Sequence, residues 1–474
     1  MGELNNADDT PSSSSQMRSS TNKYATEGIL SRIQYDYDGK YFANASFRRD
    51  ASSRFAEGHR WGNFWSAGAA WLVSRESFLQ GIEAIDMLKV KISYGESGND
   101  NVGALYPYAD QYAHSYNKDA DIYSLSLTYK GNPDLTWETK QSLNFGVDFE
   151  LWKGRLNGTL DAYYQTTKDL LYSKSVPLSS GNPTGQQYVN VGSLNNKGIE
   201  LSLDGNIFNT KNLLWTWNAN LSHNVNKILS LDESVSEEGI KGSYRIVRVG
   251  GSLYQGYMYK YAGVNKENGA ALSYMDDVDE DGKPTGNIVT TENFSKATHY
   301  DIGDFLPKLS GGFGTALSTH GFDFAMQLSY QLGGRYYDGN YQALMHSQNN
   351  AGNAIHRDIL KAWTPTNTET DIPRWDGDIQ VAQSAVDRFI VSSNYLSLDN
   401  VTFGYTLPAK FTNKIKLSSV RFYVTGENLY VLSARQGVDP RFGPGLGGYT
   451  AGSGINQSYY SARRTITGGV TVMF

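Results

Sequence analysis

Between residues 143 and 151 apolar and polar side chains alternate strictly. Leu143, Phe145, Val147, Phe149 and Leu151 share one parity; Asn144, Gly146, Asp148 and Glu150 take the other. The same period recurs in Phe322, Phe324, Met326, Leu328 and Tyr330, and in Leu213, Trp215, Trp217, Ala219 and Leu221. It recurs in Ile199, Leu201 and Leu203, in Leu88, Val90, Ile92 and Tyr94, and in Val420, Phe422 and Val424. A period of two is that of an extended strand, whose successive side chains point to opposite faces. The pattern predicts strands near 27–37, 40–54, 61–73, 88–98, 138–152, 155–171, 196–208, 213–229, 311–319, 322–331, 395–406, 420–431 and 463–474. Alternation alone leaves two environments open. A soluble antiparallel sheet turns its apolar face to a core. A membrane barrel turns that face to lipid and its polar face to a wet lumen.

The connections separate the two. Asp38-Gly39, Lys153-Gly154, Asn209 to Asn212 and His320-Gly321 are tight turns, and 74–87 and 407–419 are longer versions. Between them fall the long connections 99–137, 172–195, 230–310, 332–394 and 432–462. Short and long alternate, with 55–60 as the one short link on the long side. Sorting by end is what an outer-membrane barrel shows, with short periplasmic turns and long extracellular loops. The last segment runs to Phe474, with Ile466, Val470 and Val472 on its face. Bacterial single-chain barrels have even strand numbers, so thirteen predicted strands imply further strands upstream. Residues 1–26 are polar, without the apolar core of a signal peptide, and read as a remnant of an extracellular loop.

Composition narrows the field further. The chain has 474 residues with 49 Gly, 33 Tyr, 19 Phe and 9 Trp, and no apolar run long enough for a membrane helix. It has no Cys, which excludes a disulfide framework, a thiolate metal site and a thiol nucleophile. A net charge of −6 argues against nucleic acid as a partner.

Several strings, in order, carry a resemblance: Asn44-Ala-Ser-Phe-Arg-Arg-Asp-Ala-Ser-Ser-Arg54-Phe55, Ser93-Tyr-Gly-Glu-Ser-Gly-Asn99 and Gly131-Asn-Pro-Asp-Leu-Thr-Trp-Glu138. They continue with Asn190-Val-Gly-Ser-Leu-Asn-Asn-Lys-Gly-Ile-Glu200, Asn400-Val-Thr-Phe-Gly-Tyr-Thr-Leu-Pro408 and Gly426-Glu-Asn428. From about Lys40 to Phe474 the chain resembles the C-terminal half of SusC/RagA-type TonB-dependent outer-membrane transporters. It departs from that pattern at Gly303-Asp304-Phe305 and Tyr460-Ser461, where the family usually places a proline. The resemblance implies an all-β fold, an antiparallel transmembrane β-barrel of about twenty-two strands with a plug. Residues 27–474 would be its C-terminal portion, without the plug and N-terminal strands. It further implies an importer of oligosaccharides, or in some members peptides, working with a SusD-like surface lipoprotein and the TonB complex in outer-membrane lipid. The same class importing another nutrient, a passive porin and an outer-membrane enzyme barrel are the competing readings.

Candidate chemistry is sparse. The seven His are scattered, with no zinc-binding helix pattern and no nucleophile elbow, so neither an enzyme nor a cofactor is expected. Asp277, Asp279 and Asp281 followed by Gly282 match the first half of a calcium loop. Position twelve is Ile288 rather than Glu, and a solvated acidic turn is the competing reading. The best binding candidates are loop aromatics: Tyr244, Tyr254, Tyr257 and Tyr259 in one long connection, Tyr336, Tyr337, Tyr341, Trp363 and Trp375 in another. Such rings stack on the apolar faces of sugars; they serve equally to pack large loops together. Asn353 to Trp363 reads as a short amphipathic helix with Ile355, Ile359 and Trp363 on one stripe.

Overall fold

The computed structural model describes residues 21–117, 122–242, 244–345, 354–375, 386–434, 439–441 and 462–474. Most of 1–26 and of the connection 432–462, together with Asn353, lies outside them. All thirteen predicted strands form: β1 (Thr26–Tyr37), β2 (Tyr41–Ser52), β3 (Trp61–Leu72), β4 (Ile85–Asn99), β5 (Glu138–Leu151), β6 (Leu156–Lys168) and β7 (Ser193–Asn209). They continue with β8 (Leu213–Ser230), β9 (Leu309–Thr319), β10 (Phe322–Leu332), β11 (Tyr395–Thr406), β12 (Ser419–Ser433) and β13 (Thr465–Met473). They belong to one sheet whose strand order is the sequence order from β1 to β13.

The tight turns explain the register. Asp38 and Gly39 sit at φ 55° and 57°, and His320 and Gly321 at 50° and 85°. Two consecutive positive φ values give the turn whose twist matches that of the flanking strands. The Asp36 carboxylate accepts the Gly39 N–H at 3.0 Å, which closes the first turn.

The chain groups into two compact units, 1–71 with 91–145 and 164–195, and 72–90 with 146–163 and 196–474. In the first, β1, β2 and β3 pair so that Tyr37, Tyr41 and Trp71 share a rung, as do Ile33, Ala45 and Ala67. Tyr41 and Trp71 stack at 6.3 Å, and at the other end Arg49 lies over Trp61 at 4.8 Å. Trp61 and Trp71 are ten residues apart, roughly 34 Å of strand. A tilt of about 40° reduces this to about 26 Å, the height of an apolar band between two aromatic girdles. Ile33, in the middle, is 73% exposed. The opposite face is polar: Ser46 and Ser66 hydroxyls meet at 2.7 Å and Arg48 pairs with Asp50.

The second unit repeats this pattern. Leu317, Phe324, Phe403 and Val424 form one apolar rung, and Phe322, Tyr405, Phe422 and Val470 the next. On the other face Thr402 and Thr425 hydroxyls meet at 3.0 Å, and Asp323 pairs with Arg421. That ion pair lies across Gly404, where a Cβ would stand 2.4 Å from the Asp323 carboxylate. Gly469 is covered by the Tyr423 ring, which a Cβ would meet at 2.3 Å.

The long connections hold structure of their own, which strand periodicity in short pieces did not predict. Gln111–Asn117 pairs with Ile122–Tyr129, and Leu171–Ser175 with Gln186–Asn190. Among the described residues the connection 230–310 contains seven short strands. The helix expected over Asn353 to Trp363 is, among the described residues, a single 3-10 turn at Arg357–Lys361. His356 caps it through Nδ1, and the backbone N–H of Ala362 closes it on Ile359. Of the expected stripe, Ile359 packs into the core of the connection while Ile355 stays exposed.

Candidate functional site

The connections 230–310 and 332–394 pack on each other around two apolar cores, a smaller one of Ala271, Phe294 and Val386 with Tyr259 and Tyr261 against it, and a larger one. Met258, Phe305, Tyr337, Met345, Ala362, Ile372 and Phe389 are its buried residues, with Tyr244, Tyr254, Tyr341 and Ile359 against them. Backbone and side chain join the two segments. The Arg335 N–H donates to the Phe305 carbonyl at 3.2 Å, and the Arg374 N–H to that of Gly269 at 2.9 Å. Tyr261 donates its N–H to the Asp387 carboxylate and its hydroxyl to the Asp371 carbonyl, both at 2.9 Å. Burial pushes the Tyr261 phenol up to about 12. Trp363 lies over Gly269 and donates its indole N–H to the Lys266 carbonyl at 3.1 Å.

This arrangement divides the nine candidate aromatics. Tyr336 and Tyr337 are buried, and Tyr244 stacks at 5.0 Å on Tyr337. Tyr254 and Tyr341 cover the same core. Tyr244, Tyr254, Tyr337 and Tyr341 belong to the core shared by the two connections. Tyr257 and Tyr259 lie off that larger core, Tyr259 packing on the smaller one, and the reason is local. They lie on the strand Gln255–Tyr259, whose other face carries Gly256 and Met258. Met258 is fully buried and Gly256 lies under Phe305, so that face belongs to the core. Gln255, Tyr257 and Tyr259 take the opposite parity. Across the ladder from them stand His299 and Asp301. The His299 ring stacks on Tyr257 at 5.3 Å and meets Tyr259 at 3.8 Å. Tyr259 also touches Phe294, at 4.4 Å. Asp301 accepts from Arg248, from Gln255 and, at 2.9 Å, from the Gly303 N–H. Burial, and then the nearby Lys241 charge, hold the His299 imidazole below its ordinary pKa. Trp375 is exposed.

The face therefore offers an aromatic cluster, Tyr257 stacked on His299 and Tyr259 tilted against it, beside a carboxylate and two cations. Such a group can cover the apolar side of a ring and bind hydroxyl, amide or charged groups at its rim. The His299 ring contacts both tyrosines, which makes it part of the aromatic cluster. His299, Asp301, Arg248, Gln255 and Lys241 were not among the sequence candidates. The alternation of 255–259 carried the signal.

The acidic motif forms a β-hairpin between Ala271–Val278 and Pro284–Thr291. The Asp279 carboxylate accepts the N–H groups of Asp281 and Lys283 at 3.0 and 2.8 Å, and Asp277 accepts the Thr285 hydroxyl at 2.9 Å. The carboxylates are thus used on their own turn. Among the described residues no group of three or more His, Cys, Asp or Glu converges as a metal would require.

A second network lies at the bulge where β11 meets β12. Asn428 adopts φ 51°, and the register shifts between Leu398 and Asn400. Arg441 reaches into it. Its guanidinium donates to Asp399 at 2.9 Å, to the Ser397 hydroxyl at 2.9 Å and to Asp439 at 2.7 Å.

The profile of the family described as TonB dependent receptor-like, beta-barrel matches residues 2–429. The chain belongs to this family of outer-membrane β-barrels. It is 32% identical over 440 residues to TonB-dependent receptor P3 of Formosa agariphila, covering 90% of this chain and 43% of that protein. It is 28% identical over 469 residues to TonB-dependent receptor SusC of Bacteroides thetaiotaomicron, covering 95% of this chain and 44% of that one. A solved structure of the RagAB peptide transporter superposes with a TM-score of 0.84 at 28% identity, covering 98% of this chain and 49% of that one. The resemblance to the SusC/RagA type therefore holds in sequence and in fold. The chain spans less than half the length of the relatives it matches.

Proposed function

We propose that the protein to which this barrel portion belongs is an energised importer, drawing cargo through the outer membrane with the TonB complex. In this reading the packed connections 230–310 and 332–394 hold the cargo outside, beneath a SusD-like surface lipoprotein. The observation that carries it is the Tyr257–His299–Tyr259 cluster with Asp301 and Arg248 beside it. These residues do not span the bilayer; Tyr257 and Tyr259 stand on the face of their strand opposite Met258, with Tyr259 also packed against the cluster of Ala271, Phe294 and Val386. Rings supply contact area at small entropic cost, and a neutral glycan offers few charges to bind otherwise. An oligosaccharide is therefore the proposed cargo, with Tyr257, Tyr259 and Trp375 as the contacting rings. Peptide cargo is the second reading. It is favoured by the likeness to the RagAB peptide transporter and by the charges at the rim.

The test uses the full-length protein. A panel of labelled oligosaccharides and peptides is screened for binding, and uptake of the best ligand is followed in cells with and without TonB function. Uptake that persists without TonB would identify a passive pore. Binding of peptides alone would select the second reading.

A further inference from the structure

An apolar groove runs over the lipid-facing side of β9 to β12, at the end bearing the short turns. It is open along one side, with a volume of about 600 Å³, and its walls include Leu317, Phe322, Phe324, Phe403, Phe422 and Val424. Two ring pairs form its ribs: Phe322 with Tyr405 at 4.4 Å and Phe324 with Phe403 at 4.9 Å. The carboxylate nearest to it, that of Asp323, is paired with Arg421. The groove itself offers a ligand no unpaired charge.

The turn that continues from its walls does. β11 leaves the groove at Tyr405 and β12 returns to it at Phe422. Between Leu407 and Ser419 the chain carries Lys410, Lys414 and Lys416 and no carboxylate. All three lysines are exposed, and so are Phe411 and Ile415. The short helix Ala409–Thr412 packs against β12, and Thr412 is fully buried. The turn is thus fixed at its base and presents two apolar side chains among three cations. In water that exposure of Phe411 and Ile415 would be a cost. At a membrane surface the apolar pair enters the acyl boundary and the ammonium groups stay at the headgroups.

We propose that the groove and the lysine turn together form a site for one anionic phospholipid of the periplasmic leaflet. An acyl chain lies along the Phe322–Tyr405 and Phe324–Phe403 ribs, and the headgroup phosphate meets Lys410, Lys414 and Lys416. Charge complementarity selects the occupant. Basic side chains beside a bilayer attract anionic headgroups and give no preference for a zwitterionic one. Short turns face the periplasm in outer-membrane barrels, and that leaflet is the phospholipid one.

The test exchanges the full-length protein into nanodiscs of mixed phosphatidylethanolamine and phosphatidylglycerol, then counts retained lipids by native mass spectrometry. Wild-type protein should retain phosphatidylglycerol about tenfold over its share of the mixture. Replacing all three lysines by Gln should remove the preference and leave total lipid retention unchanged. Replacing all three by Arg should keep it, which separates lost charge from damage to the turn. Leu317→Trp, which fills the groove, should lower retention of both lipids. Absence of a preference in the wild type would overturn the proposal. So would a preference that survives the Gln variant, or a retained species that is lipopolysaccharide or a polypeptide.

Discussion

Replacing Ile33 by Arg and, separately, Gln34 by Arg places the same cation on opposite faces of β1. The two positions are adjacent and both are exposed. On a soluble sheet the first change would be almost free, because surface substitutions usually fall within about 0.5 kcal/mol. In a bilayer it would not. Ile33 shares its rung with Ala45 and Ala67, between the Trp71 and Trp61 girdles. Arg at the midplane of an outer-membrane barrel costs about 2–4 kcal/mol. At 1.4 kcal/mol per tenfold this shifts the folding equilibrium by roughly thirty- to several-hundred-fold, using the same midplane cost. Gln34 is on the polar face, where Arg should stay within about 0.5 kcal/mol of the wild type. The measurement is urea unfolding of the full-length protein folded into vesicles, read by the mobility difference between folded and heated barrel. Equal loss at both positions, or no loss at Ile33, would refute the assignment of the apolar face to lipid.

Three further outcomes follow from the geometry. Gly404→Ala drives a methyl group against the Asp323–Arg421 pair and should cost about 1–3 kcal/mol in the same unfolding assay. Tyr257→Ala should weaken cargo binding by about 1–3 kcal/mol while the barrel assembles normally; Tyr254→Ala and Tyr259→Ala, each packed against a core of the connections, should instead loosen them, seen as faster proteolysis. His299 has its folded pKa below the ordinary value of 6.5, so the unfolded form takes up the proton first. The outer connections should therefore be most stable above that value and lose stability as pH falls through it toward the folded pKa. Limited proteolysis at pH 7.5 and 5.5 should show this, and His299→Gln should flatten the difference.

The strands were legible because a bilayer-facing sheet demands strict alternation over ten or more residues, and because Asp38-Gly39 and His320-Gly321 name their turns. The connections were harder. Their strands are as short as Ile240–Lys241 and Ile246–Val247, too brief for a period to show. Tyr337 and Tyr257 look alike in sequence, yet one is core and the other is not. Only the parity of Gly256 and Met258 beside Tyr257 tells them apart, and reading it requires knowing where Phe305 sits. The stripe at Ile355, Ile359 and Trp363 failed for a related reason. Trp363 is held by Gly269 and the Lys266 carbonyl, partners about a hundred residues away that a helical wheel does not contain.

Several glycines here are matched to one large ring. Phe64 alone sits across Gly62 and Gly98, Tyr423 covers Gly469, and Phe305 covers Gly256. Each pair constrains the order in which a lineage can change. A methyl group at Gly98 would stand 2.1 Å from the Phe64 ring, so that glycine is locked while the phenylalanine remains. Shortening Phe64 first opens the position, but only through an intermediate that has lost its cover over two strands at once. Drift at such sites runs through a narrow gate, ring before glycine, and the doubly matched Phe64 should be the slowest of them to pass.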